Sequence, residues 1–162
     1  MRTIPDRQLT KHFRLYEFLE AQMPWEAISM NWKYIQPDHI DRWERMALEL
    51  EKVRKLVNDN YKSDINFPEI GLRITAGYRC KEWELFRGRS GNSQHTICAV
   101  DFQPINTSRE FAAKILQFVY DKYYHWWAGG LAIKHPSKEG NILLIGFIHL
   151  DPREKKACWI YD

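Results

Sequence analysis

Two imidazoles and one carboxylate are the residues of this chain whose types and order could do chemistry together. His95 lies in Ser93-Gln94-His95-Thr96-Ile97-Cys98-Ala99-Val100-Asp101-Phe102, six positions before Asp101. His149 lies in Gly146-Phe147-Ile148-His149-Leu150-Asp151. Zinc takes imidazole nitrogen and carboxylate oxygen readily, and a catalytic zinc keeps its fourth position for water. His95, Asp101 and His149 therefore make a candidate three-ligand site for a divalent metal. Singly, each has a plainer reading. A histidine ending a buried strand can be hydrogen-bonded core, and one in a Gly/Ser/Asn loop can be a surface residue. Asp101, at the edge of an apolar strand, needs a metal, an arginine or backbone N–H groups as its partner.

The elements that must position these residues can be read from apolar spacing. Ile142 to Leu150 is apolar on both alternating faces: Leu143, Ile145, Phe147 and His149 on one, Ile142, Leu144, Ile148 and Leu150 on the other. That pattern predicts a central strand covered on both sides, with His149 at its rigid end. Ala99–Phe102 reads as a strand that stops before Pro104. Leu72–Thr75 and Leu131–Ile133 are further strands, and Pro136 to Asn141 is a turn region. Residues 37–60 form the clearest helix. Pro37 and Asp38 suit its first turn, and Ile40, Trp43, Ala47, Leu50, Val53 and Val57 recur at steps of three and four. Phe13–Ala21 and Cys80–Phe86 read as short helices. Thr107 with Glu110 reads as a capping box opening a second long helix that ends near Tyr123-Tyr124. Gln22 to Gln36 has no clean period. It is expected to be a loop anchored by Trp25, Trp32 and Tyr34, with an aromatic platform for a sugar or base as the alternative.

At 162 residues, with 44% apolar and 28% charged residues, the chain is expected to be one globular domain, 1–162. No apolar run approaches about 18 residues, and Met1 to Arg7 has no apolar signal core, so synthesis in the cytoplasm without a signal peptide is expected. The net charge of +3 suits an anionic partner. Most cations sit among acids, however, as in Asp41-Arg42-Trp43-Glu44-Arg45, which reads as a solvated helix face and gives no support to nucleic-acid binding. The three cysteines, Cys80, Cys98 and Cys158, form no CxxC pair, so reduced thiols are expected. Cys98 could be a further ligand, or simply a small buried residue. Gly88-Arg89-Ser90-Gly91-Asn92 lacks the spacing of a phosphate loop.

Four stretches, in order, carry a resemblance. They are Leu9-Thr10-Lys11-His12-Phe13-Arg14-Leu15-Tyr16-Glu17-Phe18; Ile74-Thr75-Ala76-Gly77-Tyr78-Arg79; Ser93-Gln94-His95 with Ala99-Val100-Asp101; and Phe147-Ile148-His149-Leu150-Asp151. Together the chain resembles the zinc D-alanyl-D-alanine carboxypeptidase family, which includes phage endolysins and shares its fold with the Hedgehog signalling domain. The branch common in phages is the most similar. The resemblance implies an α+β domain, with a small, mainly antiparallel sheet carrying the site and the 37–60 and 107–123 helices packed around it. It implies zinc held by His95, Asp101 and His149, and hydrolysis of a peptide bond in the peptidoglycan stem. Such an enzyme, phage or prophage encoded, would reach the wall after lysis or as part of a virion. A non-catalytic cell-wall-binding or phage structural module on the same fold is the alternative.

Further roles follow from the same resemblance. Arg79 would hold a carboxylate or carbonyl of the substrate, or it could be a structural arginine paired with a nearby acid. Ser93 would support the site by hydrogen bonding, or be a plain turn serine. Two departures stand out. The family pattern S-x-H-x-x-G-x-A-x-D spaces histidine and aspartate by seven, and this chain by six, with the family glycine absent from Thr96-Ile97-Cys98. A tighter turn without glycine must avoid positive φ or accept strain. Many relatives also carry an acid three positions before the last histidine, where this chain has Gly146. Asp151 then becomes the candidate general base, or else a turn acid paired with Arg153. His125, His135 and Glu139 are other candidates.

Overall fold

The computed structural model describes residues 4–62, 68–139, 142–144 and 146–161. Five α-helices appear among them: α1 (Leu15–Glu20), α2 (Trp25–Tyr34), α3 (Pro37–Tyr61), α4 (Lys81–Phe86) and α5 (Arg109–Trp126). The strands are β1 (Gly71–Ala76), β2 (Val100–Ile105), β3 (Gly130–Lys134), β4 (Ser137–Glu139), β5 (Ile142–Leu144), β6 (Phe147–Asp151) and β7 (Ala157–Tyr161). A five-stranded sheet runs β1-β2-β6-β3-β7, and β4 with β5 makes a separate antiparallel pair. Within the larger sheet β3 is antiparallel to β6 and parallel to β7. The fold is thus mixed α+β with a small sheet, and both long helices stand where apolar spacing puts them. Among the described residues no helix is long and apolar enough to cross a membrane.

The chain divides into two compact units, Met1–Glu51 with Ile74–Val100 and Lys52–Arg73 with Asp101–Asp162. In the first, Phe18 packs on Trp43 with ring centroids 5.0 Å apart, and Phe13, Leu15 and Leu19 are buried around them. In the second, the buried side chains include Phe102, Ile115, Leu116, Val119, Leu131, Ile133, Ile148 and Leu150. The α3 stripe holds throughout: Ile40, Trp43, Ala47, Leu50, Val53 and Val57 are all buried.

Several local expectations are corrected. Gln22 to Gln36 is no loop, because Trp25–Tyr34 is helical. Its inward face is Ala27, Asn31 and Trp32, and a buried asparagine breaks the apolar period by which a helix is recognised. Of its three aromatics only Trp32 is an anchor in the core, whereas Trp25 is 73% exposed. Strand β2 runs through Pro104, which takes an inward position in its alternating burial. Helix α5 is capped by Ser108, whose Oγ accepts from the Phe111 N–H at 3.2 Å, so the cap lies one residue after Thr107. The helix also continues to Trp126, past Tyr123-Tyr124. Ser137–Glu139, expected as turn, is a strand. The long run from Ile142 is divided between β5 and the central strand β6, with Ile145 outside the described residues. The loop expected over 61–70 lies partly outside them too: Tyr61 ends α3, and residues 63–67 are not described. Strand β7 adds an edge that no apolar alternation announced.

Candidate metal centre

The stretch between His95 and Asp101 turns without any residue at positive φ. Ser93 caps a 3-10 turn at Gln94–Thr96, its Oγ accepting from the His95 N–H at 3.2 Å. The Gln94 carbonyl then accepts from the N–H groups of Ile97, Cys98 and Ala99 at 3.0, 3.0 and 3.1 Å. One carbonyl thereby gathers the whole turn that leads to Asp101. The non-glycine residues with positive φ are Gln22 and Asn106 among those described, and neither lies in this turn. The penalty expected from the missing glycine is absent, because 3-10 geometry lies on the ordinary right-handed side of φ. Cys98 is buried and donates its Sγ–H to the Arg42 carbonyl at 3.3 Å, the role of a small core residue.

The Ala76-Gly77-Tyr78-Arg79 segment holds His95 from behind. The Nδ1 of His95 lies 2.8 Å from the Gly77 carbonyl, so it is the protonated nitrogen, and Nε2 is the one His95 can present to an ion. The Arg79 N–H donates to the His95 carbonyl at 3.0 Å. Gly77 is glycine because a Cβ there would stand 2.9 Å from both the carbonyl carbon and Cα of Phe18. This close approach lets the Tyr78 N–H donate to the Phe18 carbonyl at 2.7 Å, which ties helix α1 to the segment. Asn31 completes the support. It is fully buried, its amide N–H groups donating to the Leu19 and Tyr78 carbonyls at 2.9 and 2.7 Å and its Oδ1 accepting from the Cys80 N–H at 2.9 Å.

Arg79 is itself held. Its Nε lies 3.3 Å from an oxygen of buried Glu84, and its Nη2 donates to Ser93 Oγ at 3.4 Å. Glu84 is only 2% exposed and also takes a hydrogen bond from Arg89 at 2.9 Å. Arg79 thus has the acid partner of its structural reading, while about a quarter of its side chain, 24%, stays accessible.

On β6, His149 and Asp151 point to the same face, as period two requires. The ring of His149 is flanked by acids on both sides. Nδ1 lies 2.6 Å from Asp101 Oδ1, and Nε2 lies 3.0 Å from Asp151 Oδ2. Burial pulls the imidazole pKa down. The hydrogen bonds and charges of Asp101 and Asp151 outweigh it and hold the group above the ordinary 6.5. Burial alone would raise the Asp151 carboxyl. Hydrogen bonds from His149 and Arg153, with the guanidinium charge, take it well below the usual carboxylate range. Asp151 is fully buried, and its oxygens are engaged by Arg153 N–H at 3.1 Å, Nε at 2.8 Å and Nη2 at 2.6 Å as well as by His149. The pairing with Arg153, offered by the sequence beside a catalytic role, is the one observed.

One ligand atom from each of His95, Asp101 and His149 lies within 4.8 Å of the other two. Both histidines are buried, and Asp101 is partly exposed. The group could hold a metal ion: two imidazoles and a carboxylate suit zinc, each imidazole is fixed through its other nitrogen, and the third ligand has solvent access. No protein-family model, curated protein or solved structure matches the chain. The case for this centre therefore stands on its geometry and donor types.

The other acid–base candidates are placed differently. His125 is exposed in the last turn of α5 against the Tyr124 ring, and His135 is exposed beyond β3. At Gly146, three positions before His149, a Cβ would stand 2.8 Å from the Lys134 carbonyl carbon. No side chain fits at that position without moving β3. Two supports went unread in the sequence, Asn31 and Glu84. Each is a polar residue on an inward helix face, and a single sequence offers no signal that separates such a residue from a solvated one.

Proposed function

We propose that the chain is a zinc-dependent peptidase that hydrolyses peptide bonds of the peptidoglycan stem, on a fold of the Hedgehog/D-Ala-D-Ala peptidase type. The observation that carries this reading is the convergence of His95, Asp101 and His149 within 4.8 Å. Bound zinc would polarise the scissile carbonyl and lower the pKa of its water toward about 7. The chain's own part is preorganisation. Gly77 holds His95 with its proton on Nδ1, so that Nε2 is presented. Asp151 accepts from Nε2 of His149, so that Nδ1 is turned toward Asp101. Ligation at Nδ1 requires His149 to release its second proton, so zinc affinity falls with falling pH. Arg79, fixed by Glu84 and Ser93, offers its planar fork to a substrate carboxylate or carbonyl. An enzyme of this kind, phage or prophage encoded, acts on the wall after phage-type release or within a virion.

Asp151 is assigned an orienting role in this scheme. A general base must reach the water it deprotonates, and a fully buried carboxylate saturated by Arg153 and His149 does not. That same observation favours a second reading, a non-catalytic wall-binding or phage structural module that keeps the metal centre.

The deciding experiment is digestion of purified peptidoglycan by the full chain, with and without added zinc, followed by mass analysis of the fragments. New amino groups that appear only with metal, and vanish in His149→Ala, are the expected result. Protein purified without chelator that carries no zinc or similar ion would overturn the metal reading. Binding to peptidoglycan without release of amino groups would establish the module instead.

A further inference from the structure

The pairing of Asp151 with Arg153 occupies a space that β3 leaves open. Register places Gly130 opposite Asp151 and Ala132 opposite His149 on one side of β3, with Ala157 and Trp159 opposite the same two residues on the other. These small β3 residues let side chains of β6 and β7 meet across the middle strand. The His149 and Trp159 rings lie 5.3 Å apart, and the Arg153 guanidinium covers Trp159 at 5.1 Å. A Cβ on Gly130 would stand 2.6 Å from Asp151 Cγ and 2.7 Å from Arg153 Nε, in the room that the ion pair fills.

We infer that Arg153, acting through Asp151, is a positioning residue that selects Nδ1 of His149 as the metal-ligand atom. The inference rests on the metal centre of the preceding reading. Arg153 donates from its backbone N–H and Nε to Oδ1, and from Nη2 to Oδ2. A planar guanidinium bound to both oxygens stops the carboxylate from rotating. Held so, Oδ2 faces Nε2 of His149 at 3.0 Å and accepts its proton in a hydrogen bond. Without an ion Nδ1 also faces a carboxylate, Asp101 Oδ1 at 2.6 Å, and both nitrogens carry protons; with an ion between Nδ1 and Asp101, only the Nε2 proton keeps its acceptor. Nδ1, on the side of Asp101, is then the nitrogen from which the proton leaves when an ion binds. The proton stays on Nε2, and no other bond is made or broken. Lysine, a point charge without the fork, would restrain one oxygen at a time.

The test uses the full chain loaded with zinc and labelled with 15N in its histidines. Long-range 1H–15N correlation reads which nitrogen of His149 carries the proton, and competition with a chromophoric chelator gives the zinc Kd. In the parent the proton is expected on Nε2. Arg153→Met is expected to weaken zinc binding about 10–100-fold and to give a mixture of His149 tautomers, with Arg153→Lys intermediate in both. Near-ultraviolet circular dichroism checks folding. Should Arg153→Met not fold, the parent tautomer and Arg153→Lys still decide the matter. Zinc on Nε2 in the parent overturns the inference, as does a folded Arg153→Met with a Kd within about threefold of the parent. A parent that takes no zinc removes both this inference and the metal centre. Zinc bound through Nδ1 by a protein that releases no amino groups from peptidoglycan supports the lock and removes only the peptidase reading.

Discussion

Gly77→Ala isolates the link between backbone packing and the metal centre. The added Cβ stands 2.9 Å from the carbonyl carbon and Cα of Phe18, whereas ordinary carbon contacts begin about 3.5 Å apart. These neighbours are backbone, so no side chain can swing aside, and the segment must move by about 1 Å. A shift of that size carries the Gly77 carbonyl from 2.8 Å to nearly 4 Å from His95 Nδ1, outside hydrogen-bonding range. It also stretches the 2.7 Å bond from Tyr78 N–H to the Phe18 carbonyl. Overpacking costs about 1–3 kcal/mol, and a lost hydrogen bond about 1 kcal/mol more. A stability loss of about 2–4 kcal/mol is expected from urea unfolding. Released from Gly77, His95 no longer has one preferred tautomer, and zinc affinity is expected to fall about 10–100-fold in chelator competition. Gly88→Ala is the control. Gly88 has φ +72° with nothing within 4 Å of an added Cβ, so it should lose about 1–2 kcal/mol of stability and no zinc affinity. A Gly77→Ala protein with the parent's unfolding midpoint, or with a zinc Kd within about threefold of the parent's, would refute the reasoning.

Three other perturbations test the scaffold. Asn31→Leu keeps the heavy-atom branching but strands two buried carbonyls and the Cys80 N–H, so unfolding should be easier by about 3–6 kcal/mol; a loss below about 1 kcal/mol would show that those groups find other partners. Glu51 accepts from Thr10 and the His12 N–H and pairs with the His12 ring; burial would raise its carboxyl, but these bonds outweigh it and hold the pKa below the ordinary 4.5. Its contribution is therefore present above about pH 4.5 and lost as pH falls through the folded value, so Glu51→Gln should cost about 1–2 kcal/mol at neutral pH and progressively less as pH falls below about 4.5, and a cost independent of pH would refute this. Burial pushes the Cys80 thiol up to about 11 and Cys98 is buried, whereas Cys158 is partly exposed; a disulfide reagent at mildly alkaline pH should modify one thiol rapidly and three after unfolding, and a second fast thiol would contradict the burial of the other two.

Much of this molecule was legible in one sequence, because the signals are local. Helix α3 announces itself through six apolar residues at helical steps, and the identities of His95, Asp101 and His149 limit the chemistry to nitrogen and carboxylate ligands. The spacing between His95 and Asp101 could be counted, but its consequence could not. Only the fold shows that the Gln94 carbonyl gathers three N–H groups and closes the turn. Asn31 hid helix α2, since a polar residue facing inward looks like a break in the period until its three partners, from Leu19, Tyr78 and Cys80, are brought to it. Asp151 was read both as a base and as an arginine partner. Its pairing with Arg153 depends on burial and on the room that Gly130 leaves in a neighbouring strand, neither of which a single strand's sequence carries. Residue type and local spacing fix which groups could act and which segments are helical. The approach of His95, Asp101 and His149 to within 4.8 Å and the hydrogen bond of His95 to Gly77 are set by contacts between residues far apart in the chain, and these only the tertiary structure decided.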